Sequence, residues 1–116
     1  MKLISGSSNP KLAQKIADRL KIDLVDTKIS KFSNGEKRVW IKDELRGENV
    51  ALVQSFADPV DETLMETMLL IDALERLGVR HVSLTIPWMG YSLQDKVFRL
   101  GEPISAKVVA KMLSNA

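Results

Sequence analysis

The chain has 116 residues, 45% of them hydrophobic, no cysteine, and 17 basic against 15 acidic side chains, for a net charge of +2. That length fits one domain and buries roughly two thirds of the unfolded surface, enough for a core. The composition excludes disulfides and thiolate metal sites, a membrane helix of ~18 apolar residues, and a secretory leader in the short apolar start Met1–Gly6, so a cytoplasmic protein is the expectation.

Lys2–Ser5 reads as a short strand, followed by a Gly6-Ser7-Ser8 loop. Asn9 and Pro10 suit the N-cap and first position of a helix, and Leu12, Ala13, Ile16, Ala17 and Leu20 fall on one face of it. A second short strand is expected over Asp23–Asp26. Ile29 and Phe32 on one side of Asn34-Gly35, with Val39 and Ile41 on the other, predict a β-hairpin. Asn49–Gln54 is an apolar run of the buried-strand type. Asp58-Pro59 opens a long helix with Leu64, Met68, Ile71, Leu74 and Leu77 facing inward and Gly78 as its C′ residue. Val82–Ile86 is a further buried strand. A polar loop follows from Gly90, and Ile104, Val108, Val109 and Met112 mark a last helix with its start signal at Pro103.

Strands alternate with helices, and the central strands are continuous apolar runs. The expected fold is therefore α/β, a three-layer, mostly parallel sheet with helices on both faces and one hairpin. The chain stops directly after a helix, where an α/β unit usually continues with a strand, so a longer parent protein is expected.

Charge is unevenly spread. Through Val50 there are 11 basic and 7 acidic residues, and after it 6 and 8. The basic excess is densest at Lys28, Lys31, Lys37, Arg38 and Lys42, opposed only by Glu36. A solvated hairpin face accounts for it; a phosphate-attracting surface is the functional alternative. Nucleic acid is the least favoured ligand, because net charge is near neutral and only Phe32 and Trp40 interleave with the cations.

Most standard chemistry is missing. There is neither a GxxxxGK[ST] loop nor a GxGxxG. His81, the single histidine, is one ligand where a metal needs several, and Ser7 and Ser8 have no histidine partner placed by sequence. The turn Gly6-Ser7-Ser8-Asn9 is either an ordinary capped turn or a set of N–H groups for an anion. The loop from Gly90 to Lys107 lies between a strand and a helix, where open α/β sheets place ligand sites. Gln94, Asp95, Lys96 and Arg99 give it an amide, a carboxylate and two cations.

Four segments together carry a family resemblance: Ser5-Gly6-Ser7-Ser8, Phe32-Ser33-Asn34-Gly35-Glu36, Arg46-Gly47-Glu48-Asn49-Val50 leading to Val53-Gln54-Ser55, and Tyr91-Ser92-Leu93-Gln94-Asp95-Lys96 running to Pro103-Ile104-Ser105-Ala106-Lys107. In this order and spacing the chain resembles the N-terminal half of the ribose-phosphate pyrophosphokinases, and the resemblance covers nearly all of residues 1–116. It implies a phosphoribosyltransferase-like α/β half of a protein that makes phosphoribosyl pyrophosphate for nucleotide biosynthesis from ATP and ribose 5-phosphate, with Mg²⁺. It also implies neither a nucleic-acid nor a membrane partner, and a homo-oligomer in which dimers assemble to a hexamer.

The resemblance assigns ATP contacts to Phe32, Asn34, Gly35 and Glu36 of the hairpin and to Gln94, Asp95, Lys96 and Arg99 of the loop. Phe32 would stack on adenine while the next residues read its edge; Asn34 stands where many members have Asp. Leu93 departs from the family's Arg, and a charged contact of that kind is worth about 1.5–3 kcal/mol. Asp95 would bridge the loop's cations or form a surface ion pair, and Lys96 and Arg99 would meet phosphate. Arg46 matches a regulatory anion position, although Leu45 replaces the Ser often found beside it. The family's metal ligands, catalytic loop and ribose-phosphate loop have no counterpart in residues 1–116. No catalytic or metal residue is assigned, most Mg²⁺ ligands are expected outside this chain, and the chain alone is expected to be inactive. The alternatives are a non-catalytic regulatory subunit and an assembly domain.

Overall fold

In the computed structural model, which describes residues Met1–Ala116, the apolar runs become a three-stranded parallel sheet. The strands are β1 (Lys2–Ser5), β4 (Asn49–Val53) and β5 (His81–Thr85), in the order β1-β4-β5. Ile4 lies opposite Leu52, and Leu52 opposite Leu84. The central strand β4 buries Val50, Leu52 and Val53, as a strand covered on both faces must. Between β1 and β4 come α1 (Pro10–Leu20) and a separate antiparallel hairpin, β2 (Thr27–Lys31) and β3 (Lys37–Ile41). α2 (Val60–Arg76) joins β4 to β5, and α3 (Ser105–Ser114) ends the chain.

The strand's period of two separates the layers. Leu3 and Val53 point to one face, where they meet Ala13 of α1. Ile4, Val50 and Leu52 point to the other, where they meet Leu70 and Leu74 of α2, Ile41 of the hairpin, Val25 and Leu45. Ile29 and Val39 extend this cluster, so the hairpin's inner face lies on the α2 side of the sheet. Phe56, Leu64 and Val109 form a third cluster that docks α3 beside the start of α2.

Local signals hold where local physics decides. Asn9 Oδ1 accepts from the Leu12 amide at 3.1 Å and Pro10 opens α1. Gly78 takes φ +73, and the Gly78 and Val79 amides donate to Glu75 and Leu74, closing α2 with a Schellman motif.

Four expectations are corrected or refined. Asp23–Asp26 forms only a single parallel bridge, Leu3 to Leu24, because its flanking residues turn away toward the hairpin. α2 begins at Val60, just after the expected opening at Asp58-Pro59, and has no side-chain cap. Its fully buried face is Thr63, Leu64, Glu66, Thr67, Leu70 and Leu74; Ile71 and Leu77 pack on the core at its half-buried margin, and Met68 is half-buried outside that cluster. α3 starts at Ser105 and buries Val109 alone, leaving Val108 and Met112 exposed, because it meets the rest of the chain along a narrow edge.

Candidate functional site

The hairpin tip follows from one glycine. The Gly35 amide donates to the Phe32 carbonyl at 2.9 Å and the Phe32 amide to the Glu36 carbonyl at 2.8 Å. Gly35 has φ +92, so Ser33-Asn34-Gly35 is a three-residue loop with a left-handed closing residue. Asn34 Oδ1 accepts from the Glu36 amide at 3.1 Å, which leaves its NH₂ free. Phe32 is 50% exposed. The Arg38 guanidinium sits 5.6 Å from its ring centroid, and Lys42 lies likewise over Trp40.

The basic run divides by face. Lys28 pairs with Trp40 and Ser30 with Arg38 on the solvent side, while Ile29, Val39, Lys31 and Lys37 alternate onto the side facing α2. Lys31 pairs with Glu62 at 2.8 Å, and Lys37 with Glu66 at 3.0 Å. Only part of the basic excess is therefore a solvated face. The hydrogen bond from Lys31 holds the Glu62 carboxyl below its ordinary range, outweighing the opposing effect of partial burial.

Glu66 is fully buried and was not among the residues singled out in the sequence. Its Oε1 accepts from the Ser7 amide at 2.7 Å and Gln54 Nε2 at 2.8 Å, and its Oε2 from Ser7 Oγ at 2.7 Å and Lys37 Nζ at 3.0 Å. Four donors saturate a carboxylate. Gln54, also fully buried, accepts from the Ser8 amide at 3.0 Å through Oε1. The Ser7 amide of the Gly6–Asn9 turn thus already holds an anion, the chain's own Glu66, while the Ser8 amide is spent on Gln54 and the Gly6 amide on the Val53 carbonyl. One signal could have found Glu66: with Thr63 and Thr67 it continues the Leu70–Leu74 stripe toward the N-terminus at helical spacing.

The loop after β5 is anchored at its start. Gly90 is buried against the Phe56 carbonyl, where a Cβ would collide. Tyr91 follows at φ 63, a conformation bulky residues rarely adopt, and its hydroxyl donates to Asp61 in the first turn of α2. Gln94 Nε2 donates to Glu102 at 3.0 Å, its Oε1 accepts from Ser105 Oγ at 3.0 Å, and its carbonyl takes the Ala106 amide. One N–H and one lone pair of the Gln94 amide remain available.

Asp95, Lys96 and Arg99 are exposed. The expected bridge or ion pair at Asp95 is not formed: the Lys96 ammonium lies 5.9 Å from the Phe98 centroid, and the Arg99 amide donates to Glu102. At exposed positions an ion pair gains little, so nothing enforces one. Leu93 is 94% exposed and packs on nothing.

Hairpin and loop are both tied to the first two turns of α2, through Glu62 and Glu66 on one side and Asp61 on the other. No hydrogen bond or ion pair joins Phe32–Glu36 directly to Gln94–Arg99. The arrangement offers an exposed aromatic ring with polar edge groups and, separately, two free cations. No three His, Asp or Glu side chains converge as a metal would need.

A family model for the N-terminal domain of ribose phosphate pyrophosphokinase matches residues 1–116. A ribose-phosphate pyrophosphokinase from Vibrio parahaemolyticus is 46% identical over 116 residues, covering 99% of this chain and 37% of the relative. One from Bacillus caldolyticus is 41% identical over 116 residues, covering 100% and 37%. The chain thus spans little more than a third of the relatives it matches. Among solved structures, phosphoribosylpyrophosphate synthetase from Mycobacterium smegmatis superposes with a TM-score of 0.93 at 34% identity, covering 98% of this chain and 38% of that one. A purine phosphoribosyltransferase from Pyrococcus horikoshii, at TM-score 0.51 and 15% identity over 77% of this chain and 64% of that one, shares the fold.

Proposed function

Because the chain belongs to the family of N-terminal domains of ribose phosphate pyrophosphokinase, we propose that it is the nucleotide-holding part of an enzyme that transfers pyrophosphate from ATP to ribose 5-phosphate. In that reaction the anomeric hydroxyl oxygen bonds to the β-phosphorus, AMP leaves, and phosphoribosyl pyrophosphate forms. The observation that carries the reading is Phe32, half-exposed at a tip whose backbone is closed by its own hydrogen bonds. A flat ring held ready for stacking suits adenine. The free NH₂ of Asn34, the Gly35 backbone and the Glu36 carboxylate then address the base edge, the carboxylate accepting from the adenine amino group.

Lys96 and Arg99 serve the phosphate tail, with the remaining amide capacity of Gln94; Asp95 orients the loop's cations when ligand is bound. Most Mg²⁺ ligands belong to the rest of such an enzyme in this reading, and the residues named here address the base and the phosphates. A cytoplasmic homo-oligomer belongs to the same proposal. The exposed apolar side chains Leu93, Phe98, Leu100, Val108 and Met112 support it as contact surface.

The test is equilibrium dialysis of the chain against ATP, with a turnover assay containing ATP, Mg²⁺ and ribose 5-phosphate. Saturable ATP binding without AMP formation is expected from residues 1–116. No binding at millimolar ATP would sink the reading, and AMP stoichiometric with product would overturn the expected inactivity. Leu93, fully solvated where the family has Arg, favours a second reading, a non-catalytic regulatory or assembly subunit. ATP binding by the longer protein with no turnover would select it.

A further inference from the structure

Lys31 and Lys37 lie directly opposite each other in the hairpin register, and like charges so placed push a strand pair apart. They are also the residues immediately before Phe32 and immediately after Glu36, so they bracket the five-residue tip. α2 answers them with two carboxylates one turn apart. Glu62 and Glu66 are four residues apart and share one helix face. Lys31 reaches Glu62 at 2.8 Å, and Lys37 reaches Glu66 at 3.0 Å and Glu62 at 3.7 Å.

The two carboxylates differ in freedom. Glu62 is 40% exposed, whereas Glu66 is fully buried and held by Ser7 and Gln54 as well. Glu66 is therefore an immobile anchor that refers the tip to the β1–α1 turn and the end of β4. The hairpin's attachment does not rest on these charges alone. Ile29, Val39 and Ile41 already seat the hairpin's inner face in the apolar cluster with α2, and a buried ion pair is often replaceable by apolar side chains without loss of stability. What an ion pair adds is a defined geometry.

We propose that Glu62 and Glu66 are positioning residues: with Lys31 and Lys37 they form a clamp that sets the height and angle of the hairpin tip for nucleotide binding without touching the nucleotide. This rests on the reading of the tip as the base-holding element. Breaking the clamp leaves the tip attached but populates orientations that do not bind.

The experiment compares the wild-type chain with the double variant Lys37→Met/Glu66→Gln, with Lys37→Arg as the conservative control. ¹⁵N relaxation gives order parameters for the amides of residues 32–36, and dialysis gives the ATP dissociation constant. In the double variant the order parameters fall from about 0.85 to below about 0.6. If a tenth of the tips stay competent, the dissociation constant rises about tenfold. Lys37→Arg leaves both near wild type. Unchanged order parameters, or a mobile tip with unchanged ATP affinity, would overturn the clamp. Should the wild type bind no ATP, the nucleotide reading fails, while the order parameters still test the mechanical part of the clamp. If the buried variant does not fold, Lys31→Met/Glu62→Gln on the exposed pair is measured in the same two ways: a loosened tip with weakened ATP binding supports the clamp, and no change in either overturns it.

Discussion

Glu66→Ala is expected to lower the unfolding free energy by about 3–5 kcal/mol, the range for removing one partner of a buried ion pair. The figure follows from the four donors that Glu66 satisfies. Two of them recover: the Ser7 hydroxyl rotates to another acceptor, and Lys37, with 13% of its side chain exposed, turns toward water or Glu62. One N–H of Gln54 loses a close acceptor in a buried setting, at about 1–3 kcal/mol, and the Ser7 amide loses one in a half-buried setting at the low end of that range. The truncated side chain adds a cavity. Against a typical domain stability of about 5–15 kcal/mol this loss is large.

Glu66→Gln separates the contributions. Its oxygen still accepts from the Ser7 amide and Gln54, and its NH₂ can donate to the Ser7 hydroxyl, but it meets the Lys37 ammonium donor to donor. One charged hydrogen bond is lost, about 1.5–3 kcal/mol, so the glutamine variant falls between wild type and alanine. Urea unfolding followed by far-UV circular dichroism measures all three, with equal m-values as the condition for comparison. An alanine variant within about 1 kcal/mol of wild type would refute the reasoning, since unpaired buried donors cannot be that cheap. A glutamine variant as unstable as alanine would show that the geometry, not the charge, is misassigned.

Three further outcomes are expected. Gly6→Ala places a Cβ into the Gln54 amide, which its own hydrogen bonds hold in place; it costs about 1–3 kcal/mol in urea unfolding, and a neutral result would mean that Gln54 can move. The folded-state carboxyl of Glu62 lies below its ordinary value of 4.5, so the unfolded chain binds the proton more tightly. The stabilisation is then complete above that value and is lost as pH falls below it and through the depressed folded value. The stability gap between wild type and Lys31→Met should close over that acid range; a gap that persists to lower pH would assign it to packing. Leu93→Arg, at a 94% exposed position, should leave stability unchanged and strengthen ATP binding by about 1.5–3 kcal/mol; an unaltered dissociation constant in dialysis would count against the loop as part of the nucleotide site.

Much of the fold was legible because it is local. Asn9-Pro10 at the start of α1, Gly78 behind α2 and Asn34-Gly35 in the hairpin each act within a few residues of themselves. The α2 face was legible in its apolar part, since Leu64 and Leu74 are buried and Ile71 and Leu77 pack on the core, but not in its polar part. The same face also buries Thr63, Glu66 and Thr67, polar residues that a hydrophobic pattern assigns to solvent. At the candidate site, Phe32 to Glu36 could be placed at a tip from turn chemistry alone. That Gln94 spends half its amide on Glu102 and Ser105, or that Asp95 lacks a cation, could not.

The sequence by itself determined the alternation of the main strands and helices, the Asn9 cap, the Gly78 helix end, the hairpin turn and the family, since these depend on residue types at short, regular spacing. Only the tertiary structure decided which charges meet. Ser7, Lys37, Gln54 and Glu66 come from four separate segments, up to 59 positions apart. Their meeting depends on the sheet order, the rotation of α2 about its axis and the face on which the hairpin lands. No local pattern encodes those three variables; the packing of the apolar core sets them, and the buried carboxylate then finds its donors in the place the core leaves for it.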